Sequence, residues 1–228
     1  MEGTIISQSE YSVEMINDIP PQLAARLFPN VICRGEDNAI YLTFDDGPDS
    51  AVTSKLCSKL IDLNCPATFF ITTSRVESEK LLIMKLYDAG FTIGSHGYNH
   101  KSLFLASYMK VKSEVLLSKQ IIEDIIGTRP TLFRPPFGRF NLNTLRVCSR
   151  EKLQIVLWSL SVKDWIPSAT GVLSERIISR ATAGDIILLH DHGNGAENTL
   201  KEIPSIVNGL RDKGFTLKAL PNISSANV

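Results

Sequence analysis

Ala39-Ile40-Tyr41-Leu42-Thr43-Phe44-Asp45-Asp46-Gly47-Pro48 opens a strand–helix–strand unit. The first six residues are β-prone, and the run ends on two adjacent carboxylates and a Gly-Pro turn. Residues 50–63 follow as a helix opened by Ser50, apolar at Val52, Leu56, Leu60 and Ile61. Ala67-Thr68-Phe69-Phe70-Ile71-Thr72 is then a continuous β-prone run, the pattern of a strand buried on both faces. Strands separated by a helix are placed to pair in parallel.

The alternation continues to the end of the chain. Helices are expected over 76–89 (stopped by Gly90), 107–126 (stopped by Gly127 and Pro130), 142–151, 172–182 and 197–211. Strands are expected over 91–94, 131–133, 154–158, 185–189 and 215–217. The class is therefore α/β with a parallel sheet. A (β/α) barrel and an open doubly wound sheet both fit, and both gather ligands at the C-terminal ends of their strands. Residues 1–38 lack periodicity and are expected to be an N-terminal extension packed on one catalytic domain spanning 39–228. A chain of 228 residues can bury a sizeable core without covalent staples.

Lys and Arg total 24, as do Asp and Glu. That balance argues against nucleic acid or an acidic membrane as a partner held by bulk charge. No apolar run approaches ~18 residues, so no membrane span is expected. Met1 to Glu10 contains neither a basic start nor an apolar signal core, so a cytoplasmic location is expected. Cys33, Cys57, Cys65 and Cys148 form no Cys-x-x-Cys and none is near a histidine. They read as small apolar core residues, in keeping with a reducing compartment.

All four histidines fall in two short runs, Ser95-His96-Gly97-Tyr98-Asn99-His100 and Leu188-Leu189-His190-Asp191-His192-Gly193. His96 and His100, four apart, share a face if their stretch is helical. Two neutral imidazoles and one carboxylate make a catalytic metal set with a position left for water. Asp45 and Asp46 diverge on an extended backbone, so one can bind a metal while the other reaches the water. His190, at the end of an apolar run, suits a general acid. His192 reads as an exposed loop residue. Arg134, in Phe133-Arg134-Pro135-Pro136-Phe137-Gly138, can orient a carboxylate and depress its pKa. Asp164-Trp165 follows another strand, and Trp165 offers a flat face on which a sugar can stack. Together these residues point to metal-assisted hydrolysis.

Taken in order from Thr43 to His190, these runs resemble the five motifs of the polysaccharide deacetylases, carbohydrate esterase family 4. The resemblance implies a distorted (β/α) barrel and one divalent metal, zinc first, with cobalt, manganese or nickel as alternatives. It implies Asp45 as catalytic base and Asp46, His96 and His100 as metal ligands. Arg134 would hold Asp45, and Asp164 would orient His190, the general acid. A backbone N–H near Phe137 would help stabilise an oxyanion, and Trp165 and Leu188 would wall an acetyl pocket. The implied activity is removal of N-acetyl groups from an N-acetylglucosamine-containing glycan such as peptidoglycan or a chitooligosaccharide, or from a small N-acyl amino sugar. Two motif positions depart from the family pattern, as does the lack of a secretion signal at Met1 to Glu10. Ser161 occupies the first position of a motif that often reads Asp-x-x-Asp-Trp, and Phe137 stands where many members carry Tyr. Hydrolysis of another amide, such as a formamido sugar or a small nitrogenous metabolite, is the alternative enzyme reading. A non-catalytic glycan-binding domain is the reading from another class.

Overall fold

The β-prone run at 39–45 forms the strand β2 (Ala39–Asp45), every residue of it buried. The computed structural model describes residues 20–35, 38–166 and 171–222. Before β2 come α1 (Pro21–Leu27) and β1 (Val31–Ile32). After it run α2 (Thr53–Asp62), β3 (Thr68–Ile71), a 3-10 turn (Thr73–Ser78), α3 (Lys80–Asp88), β4 (Thr92–Ser95) and α4 (Tyr108–Ile126). The second half comprises β5 (Leu132–Phe133), a 3-10 turn (Pro136–Gly138), α5 (Leu142–Arg150), β6 (Gln154–Val156), β7 (Leu160–Ser161), α6 (Val172–Arg180), β8 (Ile186–His190), α7 (Ala196–Asp212) and β9 (Thr216–Leu217).

The strands pair in the order β1-β6-β5-β4-β3-β2-β8-β7, all in parallel, with β9 beside the start of β2. Followed from β2, the order is that of a barrel with one seam, between β6 and β7. At that seam β1 pairs with β6 instead, Val31 opposite Ile155 and Ile32 opposite Val156. The result is the expected distorted barrel. Of the extension expected over 1–38, residues 1–19 and 36–37 lie outside the described residues, while 31–32 contribute a strand to the sheet itself.

Successive residues of β2 face opposite sides. Ile40, Leu42 and Phe44 pack with Leu56, Leu60, Ile203 and Ile206 in the layer between sheet and helices. Ala39 and Tyr41 pack with Phe70, Leu132, Val156 and Ile186 inside the barrel. Thr43 and Asp45 share the inward parity, so the alternation delivers Asp45 to the mouth of the barrel. All four cysteines are buried and free, as expected.

Element ends follow local chemistry. Ser107 caps α4 by accepting the Lys110 N–H, and Gly127 (φ 69) ends it in the left-handed conformation. The helix expected from residue 50 starts later, at Thr53, and Ser50 does not cap it. Asp49 Oδ1 instead accepts the N–H groups of Ala51 and Val52, which completes a turn ahead of the helix. The helix expected over 76–89 is split into a 3-10 turn and α3. No helix among the described residues is long and apolar enough to cross a membrane.

Candidate active site

Three site residues adopt left-handed backbone: Asp46 (φ 77), His100 (φ 52) and Phe137 (φ 61). Such conformations cost non-glycine residues of order 1–3 kcal/mol each and persist only where surrounding structure enforces them. At Asp46 the turn has a direct consequence. Asp45 faces inward on the pleat, and the reversal at Asp46 aims the next carboxylate at His96 and His100. The divergence expected of an extended pair is therefore made by a turn.

His96 and His100 do not share a helix, which corrects the conditional expectation above: His96 follows β4 directly and His100 lies within the loop that leads from β4 to α4. The loop brings their rings to a centroid separation of 5.0 Å. Asp46 Oδ1 lies 2.8 Å from His100 Nε2 and 3.4 Å from His96 Nε2, yet it is buried and makes no hydrogen bond. His96 Nδ1 donates to the Arg134 carbonyl at 2.8 Å, which leaves Nε2 as the lone-pair nitrogen of the neutral ring. Asp46, His96 and His100 are the set among the described residues whose ligand atoms lie close enough to share an ion. Lone pairs converging on an unsatisfied carboxylate oxygen fit a divalent cation with nitrogen and oxygen ligands. Burial opposes ionisation of Asp46, but the neighbouring His100 and His96 outweigh it and hold the carboxyl well below the usual range.

Asp45 is buried behind this cluster. Its Oδ1 accepts from Arg134 Nη1 at 2.7 Å, and its Oδ2 lies 3.9 Å from His96 Nε2. Arg134 is fully buried. Its guanidinium also donates to Thr43 Oγ1 (2.8 Å), the Val156 carbonyl (3.2 Å) and the Leu157 carbonyl (3.2 Å), and lies over the Phe70 ring at 4.1 Å. A fixed fork spread over four acceptors holds Asp45 in one orientation.

Across the cavity, His190 Nδ1 donates to Asp164 Oδ1 at 2.9 Å, and the His190 N–H donates to Asp164 Oδ2 at 2.7 Å. Thr199 Oγ1 donates to the same Oδ2 at 3.0 Å. Burial of His190 works against protonation, but the hydrogen bond and charge of Asp164 prevail, with help from Asp45 and Asp46, and raise its pKa to about 9. Trp165 stands edge-on to His190 with centroids 5.3 Å apart. Ser161 Oγ is buried with no hydrogen-bond partner, so orientation of His190 falls to Asp164 alone of the two motif positions.

A cavity of about 430 Å³ joins these groups, lined by Asp45, Asp46, His96, His100, Phe137, Trp165, Leu188 and His190. Arg134 and Asp164 stand behind its wall, each bonded to a residue that lines it. Trp158, His192 and Asn194 also line the cavity and were not among the residues expected there. Trp158 lies just past β6, so the strand-end rule that found the others reaches it too. His192 is not a free loop residue: it is partly buried and donates from Nδ1 to Asp49 Oδ2 at 3.0 Å.

The polysaccharide deacetylase family profile matches residues 34–156. A peptidoglycan-N-acetylglucosamine deacetylase of Listeria monocytogenes is 31% identical over 187 residues, 82% of this chain and 39% of that protein. This chain thus spans well under half of that relative's length. A chitooligosaccharide deacetylase of Azorhizobium caulinodans is 30% identical over 210 residues, 87% of this chain and 97% of that protein. Among solved structures, the Bc1960 peptidoglycan N-acetylglucosamine deacetylase superposes with a TM-score of 0.83 at 25% identity, covering 87% of this chain and 94% of that one.

Proposed function

We propose that this chain, which belongs to the polysaccharide deacetylase family, is a metal-dependent hydrolase that removes N-acetyl groups from N-acetylglucosamine-containing glycans. The observation that carries the reading is the meeting of three devices in one cavity: the Asp46–His96–His100 cluster, the Asp45–Arg134 pair and the His190–Asp164 pair. Base and acid are set apart by environment, one carboxylate held by a buried guanidinium and one imidazole held by a buried carboxylate.

Asp46, His96 and His100 would hold the metal, which we assign as zinc from its two imidazoles and single carboxylate. A divalent cation there supplies Lewis acidity to the amide carbonyl and makes water a stronger acid. Asp45, fixed by Arg134, accepts the proton of the attacking water. In the turn at Phe137, Gly138 and Arg139 spend their N–H groups on the Pro135 and Pro136 carbonyls. That leaves the Phe137 N–H to donate to the developing oxyanion. His190, protonated at neutral pH, delivers its proton to the departing amine nitrogen. Leu188, Trp158 and Trp165 give the acyl group an apolar wall.

The test is acetate release by zinc- or cobalt-reconstituted protein from chitooligosaccharides, peptidoglycan fragments and N-acetylglucosamine, with Asp45→Asn as control. Release that vanishes in the variant is the expected result. No release from any of them by protein carrying one bound metal would remove the reading.

A further inference from the structure

The rings of His100 and Phe137, tilted at 58° with centroids 4.7 Å apart, line one side of the catalytic cavity. A second cavity, of about 510 Å³, is lined by the residues that follow them in the chain: Lys101 directly after His100, and Arg139 two places after Phe137. Leu105 and Lys110 line it as well, and no carboxylate does. Lys110 is neutralised by Glu114 at 2.9 Å. Lys101 and Arg139 are exposed, and neither side chain has a hydrogen-bond or ion-pair partner among the described residues. Leu105, 76% exposed, adds an apolar face beside the two cations.

In a chain with no net charge, two uncompensated cations in one hollow are a local feature, and both lie within two positions of residues that line the cavity that takes the reacting sugar. We propose that the hollow is a subsite for a carboxylate borne by the glycan next to the reacting residue, so that the enzyme favours acidic glycans over neutral ones. The proposal rests on the deacetylase reading. Lys101 offers a point charge, Arg139 a planar fork that matches a carboxylate, and Leu105 a surface for the sugar or substituent that carries it. The carboxylate can belong to a lactyl ether on the neighbouring sugar or to a peptide attached there. The chemistry recognised is the same.

The test compares three ligands: chitotetraose, an N-acetylmuramic acid-containing tetrasaccharide, and the same tetrasaccharide carrying stem peptides. Calorimetric Kd is measured on metal-loaded Asp45→Asn protein, and KM on the metal-loaded parent, each with and without Lys101→Ala plus Arg139→Ala. Exposed ion pairs are each worth a factor of about 2–5, so the double change is expected to weaken acidic ligands by about 10-fold, and to leave chitotetraose within about 2-fold. The difference is expected to shrink as salt is raised. A loss confined to the peptide-bearing ligand assigns the carboxylate to the peptide; a loss already present without peptide assigns it to the lactyl group. Equal losses on acidic and neutral ligands, or none on either, overturn the proposal. If the parent hydrolyses none of the three, the deacetylase reading fails, while the calorimetric arm still decides whether the hollow binds carboxylates.

Discussion

Asp191 Oδ1 accepts the Gly47 backbone N–H at 3.0 Å, while its Oδ2 accepts from Thr53 Oγ1 at 2.7 Å. One buried carboxylate, next to His190, the proposed general acid, thereby clamps the turn that carries Asp45 and Asp46 and the helix behind it. The approach is so close that a Cβ at Gly47 would collide with the Asp191 carboxylate, which explains the glycine. Asp191→Ala strands two buried donors and is expected to cost about 1–3 kcal/mol in urea unfolding.

Burial raises the Asp191 pKa from 3.8 to about 7, against its two hydrogen bonds and with help from the charges of Asp46 and Asp45. Between those values the folded protein holds a proton that the unfolded chain releases. The contribution of Asp191 is therefore complete below pH 3.8 and is lost as pH rises through about 7. Unfolding free energy of metal-free protein, measured from pH 4 to 8, is expected to show this fall. Asp191→Asn should flatten it, and a variant curve parallel to the parent's would exclude Asp191 as its source.

Removal of the proposed base and removal of a proposed metal ligand should separate cleanly. Asp45→Asn is expected to keep metal stoichiometry and lose about 10²–10⁴-fold in kcat. His96→Ala takes away one of three ligands and should weaken metal binding by more than about 100-fold, read by chelator competition. Chelation of the parent should abolish turnover and readdition restore it.

For His190, proton NMR of metal-free protein should find a ring titrating near 9. Asp164→Asn removes the dominant favourable partner and should bring it down toward 6.5. Because the folded pKa lies above the unfolded one, the pair stabilises the fold fully below pH 6.5 and loses that contribution as pH rises through about 9. An unchanged titration in the variant would show that Asp164 does not set the acid.

Arg134→Met would leave Asp45 buried beside no counter-charge. The expected cost is about 3–5 kcal/mol of stability in metal-free protein. Arg134→Lys supplies a charge but no fork for the Thr43, Val156 and Leu157 oxygens, so it should recover only part of the loss.

Sequence by itself determined most of the strands and helices and the residue types of the site, because each of these depends on local order. The β-prone run at 39–44, the four-residue spacing of His96 and His100, and the helix that starts after Ser107 and stops at Gly127 are all properties of neighbours along the chain. The resemblance to the family motifs implied a partner for Asp45 and for His190, and the Asp45–Arg134 and His190–Asp164 pairs match it. Tertiary structure decided what depends on distance across the fold. Nothing local in Leu160-Ser161 marks a strand; it becomes one by pairing with β8. Nothing in Val31-Ile32 says that it lies beside β6 at the barrel's seam. His192 resembles any loop histidine until Asp49, 143 positions away, holds its ring at the cavity. Asp191 has the composition of a turn residue, and only burial between Gly47 and Thr53 makes it a clamp. Backbone propensity and motif spacing act over a few residues, whereas desolvation and the pairing of charges are set by whichever segments the folded sheet brings together.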